Sequence, residues 1–265
     1  MSRGAGRLAA LLLLLLAVGP LLVPARLAEE DREAVRSAPT REHPLGTDAL
    51  GRDNLYRYLR GMRMSLSGAG AAAVVATGIG LVAGFLLSRL GRGGMAFWGP
   101  ALDTFQSMPW YLLVFLVRAW TPLETGPEQL TVILFTMLAL LGWAPAARTV
   151  GAACRQLRQE PWAVFGRASG MSGVQMFRTH YWPHLVPLAR VHFLMLTPAI
   201  LLAESSLGLL GLGVPDSAPS LGSALTDLLQ PGARWWEAAP LILLLTAVLS
   251  LQTISRRLTD ERKRP

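Results

Sequence analysis

The chain has 265 residues, of which 52% are hydrophobic and 16% charged. A water-soluble domain of this size carries charge on about a quarter of its positions, so the composition excludes an ordinary soluble enzyme and defines an all-α polytopic membrane protein. The formal net charge of +8 comes almost wholly from arginine, with Lys263 the only lysine. Because those arginines punctuate apolar segments, they report orientation in a membrane and give no reason to invoke nucleic acid.

The first apolar run, residues 8–23, follows Arg3 and Arg7. A signal peptide shares that pattern, but a cut after Ala28 would place bulky Arg26 where a small residue is wanted. Residues 1–24 are therefore expected to form an uncleaved transmembrane anchor with a cytoplasmic N-terminus. Residues 25–63 are the longest polar segment and are read as extracytoplasmic, with their arginines offset by Glu29, Glu30, Asp31, Glu33, Glu42, Asp48 and Asp53. Within it HPLGTDALGRD, residues 43–53, combines His43, Asp48 and Asp53. One histidine and two separated aspartates are thin for a metal site, and a hydrogen-bonded loop is the better reading.

A transmembrane core is expected over residues 64–265. Residues 67–87 carry no charge and are rich in glycine and alanine, which let helix backbones approach closely in lipid. Arg89 and Arg92 close that span on the cytoplasmic side. A third span, residues 100–117, contains Asp103, Gln106 and Pro109. Asp103 lies near its cytoplasmic end, where pairing with Arg92 or another basic group competes with a role in a solute pathway. Residues 121–129 suit an external loop, residues 130–143 a fourth span, and Pro145 its bend or end.

Arg148, Arg155, Arg158, Arg167, Arg178 and Arg190 follow with little acid besides Glu160, which places residues 148–190 on the cytoplasmic face. Their centre is QEPWAVFGRASGMSGVQMFRTHYWP, residues 159–183. It reads as a short helix, a corner at Gly166, Ser169, Gly170 and Ser172, and a second helix entering the membrane, with Trp162, Phe165, Met171 and Met176 supplying apolar contacts. The same composition also fits an ordinary loop between two spans. A fifth span, residues 191–212, holds Glu204, a carboxylate that must face protein, water or a partner and is either structural or part of a pathway. Trp235 and Trp236 suit the headgroup region before a sixth span, residues 240–254, and Arg256, Arg257, Arg262, Lys263 and Arg264 hold the C-terminus inside.

The chain has no GxxxxGK[ST] loop, no GxSxG, no HExxH and a single cysteine, Cys154. It has no nucleotide-hydrolysing, nucleophilic or zinc motif of its own, so no cofactor or metal is assigned to it. A large cytoplasmic island without an engine calls for a separate one.

Five blocks carry a resemblance to a known family. HPLGTDALGRDNLYRYLRGMRMSL at residues 43–66, Asp103 with Pro109, GWAPAAR at residues 142–148, and AESSLGLLGLGV at residues 203–214 resemble blocks of the permease subunits of dipeptide, oligopeptide and nickel ABC importers, in the same order. The island resembles that family's EAA region through Glu160, Arg167, Ala168, Gly170, Ser172, His180 and Pro183. Three departures stand out: Val164, Phe165 and Gly166 where Glu-Ala-Ala is usual, His184 where asparagine is usual, and Leu221 where tryptophan is usual.

The resemblance implies a bacterial inner-membrane transport subunit for peptides or similar small solutes, nickel included. It implies a homologous permease partner, two cytoplasmic ATP-binding subunits that use the ATP, and an extracytoplasmic solute-binding protein. The coupling residues it implies are Glu160, Trp162, Phe165, Gly166, Arg167, Ala168, Gly170, Met171, Ser172, His180 and Pro183. Two other classes remain open on the residues alone: an ion-coupled secondary transporter, for which Glu204 is the one midplane carboxylate, and a membrane subunit that binds an ATPase without transporting.

Overall fold

The computed structural model describes residues 3–22, 31, 34–122, 124–214 and 218–262. Among them the regular structure is helical, with one isolated antiparallel bridge, Thr47 to Asp53. The positions Arg26, Ala28, Glu29, Glu30, Glu33, Lys263 and Arg264 named above lie outside the described residues.

Helix α1 (Arg3–Leu22) packs on α11 (Ala239–Arg262) and on the long α2 (Asn54–Leu87). α2 begins inside the polar segment, well before the apolar run, because Asp53 caps it: its Oδ1 accepts the Tyr56 amide at 2.8 Å and its Oδ2 lies 3.0 Å from His43 Nδ1. Asp48 accepts the Leu50 and Arg52 amides at 2.8 and 2.9 Å and pairs with the Arg52 guanidinium. His43, Asp48 and Asp53 are thus spent on a loop that starts a helix. Arg57 joins Asp48 to Asp227, which ties this loop to the segment before α11.

The third apolar stretch is broken. α3 (Arg92–Ser107) ends before Pro109, and α4 (Trp110–Trp120) begins after it. Proline forces the preceding Met108 into an extended conformation (ψ 130°) and offers no amide to carry the helix through. In contrast, α5 (Pro127–Gly142) runs into α6 (Ala144–Leu157) through Trp143, which keeps helical angles (φ −77°, ψ −28°). Pro145 sits in the first turn of α6, where its missing amide costs little, so the chain bends there and continues.

After α6 come α7 (Pro161–Ala168), α8 (Gly173–Met176), a π-helical turn (Phe177–Tyr181) and α9 (Trp182–Leu209). α10 (Leu221–Leu225) and two 3₁₀ turns lead to α11. Four helical runs are long and apolar enough to cross a membrane: Asn54–Leu87, Pro127–Leu157, Gly173–Leu209 and Trp235–Thr259. Residues 6–19 and 110–120 are shorter apolar helices.

α2 is the centre of the bundle, with Ala69, Ala72, Ala73 and Ala76 in the main core beside Leu134, Leu138 and Leu201. Its most extensive contact is with α6. There Gly80 and Gly84 face Ala146, Ala147 and Gly151 so closely that a methyl group on Gly84 would come within 2.8 Å of Val150 Cβ and 3.0 Å of the Gly151 nitrogen. This is close backbone packing through small residues, the mode that joins helices without a water-driven force.

Candidate functional site

The island is built on α7, whose start and stop are both encoded locally. Pro161 occupies the first helical position, and the Glu160 carbonyl accepts the Ala163 and Val164 amides at 3.0 and 3.2 Å. The end is a Schellman turn in which the Met171 amide donates to the Gly166 carbonyl at 3.0 Å and Gly170 takes φ +75°. No neighbouring atom lies near Gly170, so it is needed for its backbone angle and not for space. Ser172 then caps α8, its hydroxyl accepting the Gln175 amide at 3.2 Å.

A helix of this length has an inward and an outward face at 100° per residue. Inward are Ala163, fully buried, and Gly166, against which Met176 and Met171 rest. Trp162 also turns inward: its ring lies 5.0 Å from His180 at 17°, 6.0 Å from His184 at 7°, and edge-on to Tyr181 at 6.0 Å. Outward are Val164 (52% exposed), Phe165 (74%) and Ala168, and beyond the corner Val174 is 71% exposed. The expected coupling residues therefore divide. Phe165 and Ala168 are presented, Gly170 and Ser172 shape the corner, and Trp162, Gly166, Met171 and His180 hold the helix to the body. Pro183 occupies the first turn of α9, and the Arg167 side chain lies outside the described residues.

The island is seated on the ends of α2 and α6. Phe85 of α2 meets Phe177 edge-on at 4.9 Å, Arg89 stands 4.7 Å over the Phe85 ring, and Arg158 donates to the Ser88 carbonyl at 3.1 Å. Val150, Cys154, Met176, Tyr181 and Leu185 form a second small core beneath it, with Trp162 and Met171 against its edge. The island is thus part of the folded body and not a loose connection.

The intramembrane polar residues find protein partners. Asp103 pairs with Arg148, which also donates to the Gly99 carbonyl at 3.2 Å and so fastens α3 to α6. The partner is Arg148, the last residue of GWAPAAR, so two of the resembling blocks meet in one ion pair. Gln106 donates to the Leu102 carbonyl at 3.3 Å and borders an apolar cavity of about 230 Å³ lined by Phe105, Trp110, Leu138, Leu141 and Leu196. Glu204 is fully buried where α9 meets α10: Ser205 donates to it at 3.4 Å, and a methyl group on Gly222 would stand 2.9 Å from its Oε1.

Sequence reasoning passed over Val164 and Val174 as presented residues and His184 as a ring partner. The signal for the first was available, since Ala163 and Gly166 are the small residues that a helix places against its own body. Nothing local announced the stack, because it joins residues 18 and 22 positions apart through a tertiary contact.

By class this is a helical membrane protein, with close-packed glycine spans and an apolar, outward-facing element on α7. Residues 76–262 match the family described as the binding-protein-dependent transport system inner membrane component, and the chain belongs to that family. It is similar to the oligopeptide transport system permease protein OppC of Mycobacterium bovis, 30% identical over 96% of this chain and 86% of that one. It is also similar to OppC of Haemophilus influenzae, 28% identical over 92% of this chain and 76% of the relative. A Brucella suis protein that bears the name of a peptide permease is 29% identical over 91% of this chain and 79% of its own length. The family match begins at residue 76, so the block at residues 43–66 falls outside it while lying within the span of these relatives.

Proposed function

We propose that this chain is the permease subunit of an ATP-driven importer of peptides in a bacterial inner membrane. It works with a homologous permease, two cytoplasmic ATP-binding subunits and an extracytoplasmic solute-binding protein. The names of its relatives supply the solute class, and α7 supplies the mechanism. A rigid eight-residue helix, fixed by a buried inner face and a left-handed corner, holds Val164 and Phe165 out toward solvent. Apolar side chains displayed on a preformed helix suit a groove on a partner, where a few anchors carry most of the affinity.

On this reading α7 is a lever. Closure of the ATP-binding pair on nucleotide moves it, and the movement biases the bundle between inward-open and outward-open arrangements, provided the contacts differ in the two states. Hydrolysis belongs to the partner, in keeping with the absence of a phosphate-binding loop from this sequence. Asp103 and Glu204 act as structural residues within the bundle.

The test is affinity purification of the tagged chain from its native membrane, with identification and ATPase assay of what co-elutes. The wild-type chain recovers a homologous permease and an ATP-hydrolysing subunit. Phe165→Asp, which puts a charge on the presented face, lowers recovery of the ATPase by at least about tenfold, the scale of losing one anchor, while recovery of the other permease is unchanged. A wild-type chain that comes out intact but alone and without ATPase activity overturns the reading.

A further inference from the structure

Trp162 is the one aromatic side chain of α7 that points into the body, and its ring partners all lie on one stretch of chain. His180 and Tyr181 belong to the π-helical turn Phe177–Tyr181, and His184 to the first turn of α9. The indole is nearly parallel to both imidazoles, at 17° and 7°, and perpendicular to the tyrosine, at 80°. Histidines four positions apart share one helix face, so a single indole spans both. Thr179 Oγ1 lies 2.6 Å from His180 Nδ1 and fixes the plane of that ring.

The remaining inward contacts of α7 are of another kind. Gly166 meets Met176 and Met171, whose unbranched thioethers yield to displacement, and Ala163 offers a single methyl group. A stack of flat rings has a preferred spacing and angle and therefore resists being pulled open or tilted. The π turn below it is a place where a helix absorbs a change of register. A stiff contact beside a compliant turn is the arrangement of a joint. Its output is α9, a helix of 28 residues with Pro187 and Pro198 inside it that also carries Glu204.

We propose that Trp162, stacked on His180 and His184, is the joint through which displacement of α7 is passed to the first turn of α9. Trp162 is a positioning residue for transport and not an anchor for the ATP-binding subunit. This rests on the reading that α7 docks on that subunit. His184, where the resembling family has asparagine, extends the stack by a second ring.

The experiment uses the complete complex purified with the tagged chain in a Cys154→Ala background, with Ser206→Cys as a reporter on the far part of α9. Three quantities are read: recovery of the ATP-binding subunit, ATP hydrolysis, and the change in maleimide labelling of the reporter when nucleotide is trapped with vanadate. Trp162→Ala keeps recovery and hydrolysis within about twofold and shrinks the nucleotide-dependent labelling change by about tenfold, the scale of two lost ring contacts. Trp162→Phe, which keeps a ring, restores most of the change. His184→Ala weakens it as well and adds little to Trp162→Ala, as expected for residues in one contact. An undiminished labelling change in Trp162→Ala overturns the joint. So does loss of the ATP-binding subunit from Trp162→Ala, which would make Trp162 an anchor. A wild-type complex without that subunit instead removes the docking reading, and the joint with it.

Discussion

A hydrogen atom in place of a methyl group decides how closely α2 and α6 approach. Gly84 has Val150 and the Gly151 amide at its back, whereas Gly70, on the same helix, has nothing within 4 Å. Gly84→Leu forces the two helices apart and costs about 1–3 kcal/mol by overpacking, seen as a lower unfolding midpoint of the purified protein. Gly70→Leu leaves the midpoint unchanged. The stripe of small residues was visible in the sequence and correctly announced a bundle interior, but the sequence gives no means of telling a glycine in contact from one with open space beside it. That distinction depends on the rotation of α2, which is set by α6 and α9 and by nothing within α2 itself. The same limit applied to Trp162 and Phe165. Both are apolar, both lie on α7, and only the tertiary partners assign one to the body and the other to the surface.

At the scale of elements, hydropathy located the apolar runs, and local chemistry located their ends only where the residues act locally. The Pro109 break follows from a missing amide and a restricted neighbour. The early start of α2 did not emerge, because Arg57, Arg60 and Arg63 make its first turns look like loop, while the Asp53 cap and the ion pairs to Asp48 and Asp227 make them helix. α10 was missed altogether, since its five residues are held by tertiary contacts. Its first amide donates to Ser65 of α2 at 2.9 Å, and Gly222 lies directly on Gly208 and Glu204 of α9. Glu204 therefore acts at element scale, as the buried side chain over which α10 closes. Glu204→Gln preserves shape and hydrogen bonding and is tolerated. Glu204→Ala leaves a cavity and an unanswered Ser205 hydroxyl, a cost of about 1–3 kcal/mol, read as faster maleimide labelling of a Ser223→Cys reporter on α10 in a Cys154→Ala background.

Across the whole molecule, three contacts fix which ends lie together. Gly6 of α1 is against Arg257 of α11, Phe85 of α2 is against Phe177 of the island, and at the other end Trp236 reaches Gly46. The chain therefore gathers the start of α1, the end of α11 and the whole of α7 at one end of the bundle. The loop at residues 34–53, α10 and the connection between α4 and α5 lie at the other. Arg89, Arg148, Arg155, Arg158 and Arg178 all belong to the α7 end, with Asp103 and Glu160 among the acids there, and the positive-inside rule predicts a cytoplasmic position for such a cationic end. A cysteine map tests this orientation, because Cys154 is fully buried and can be replaced by alanine to give a silent background. Ala233→Cys and Ser169→Cys place single thiols at exposed positions on opposite ends. In intact spheroplasts a membrane-impermeant maleimide labels Ala233→Cys and spares Ser169→Cys until the membrane is opened. The reverse pattern would put α7 outside, beyond the reach of any cytoplasmic ATP-binding subunit, and would remove the lever reading at its root.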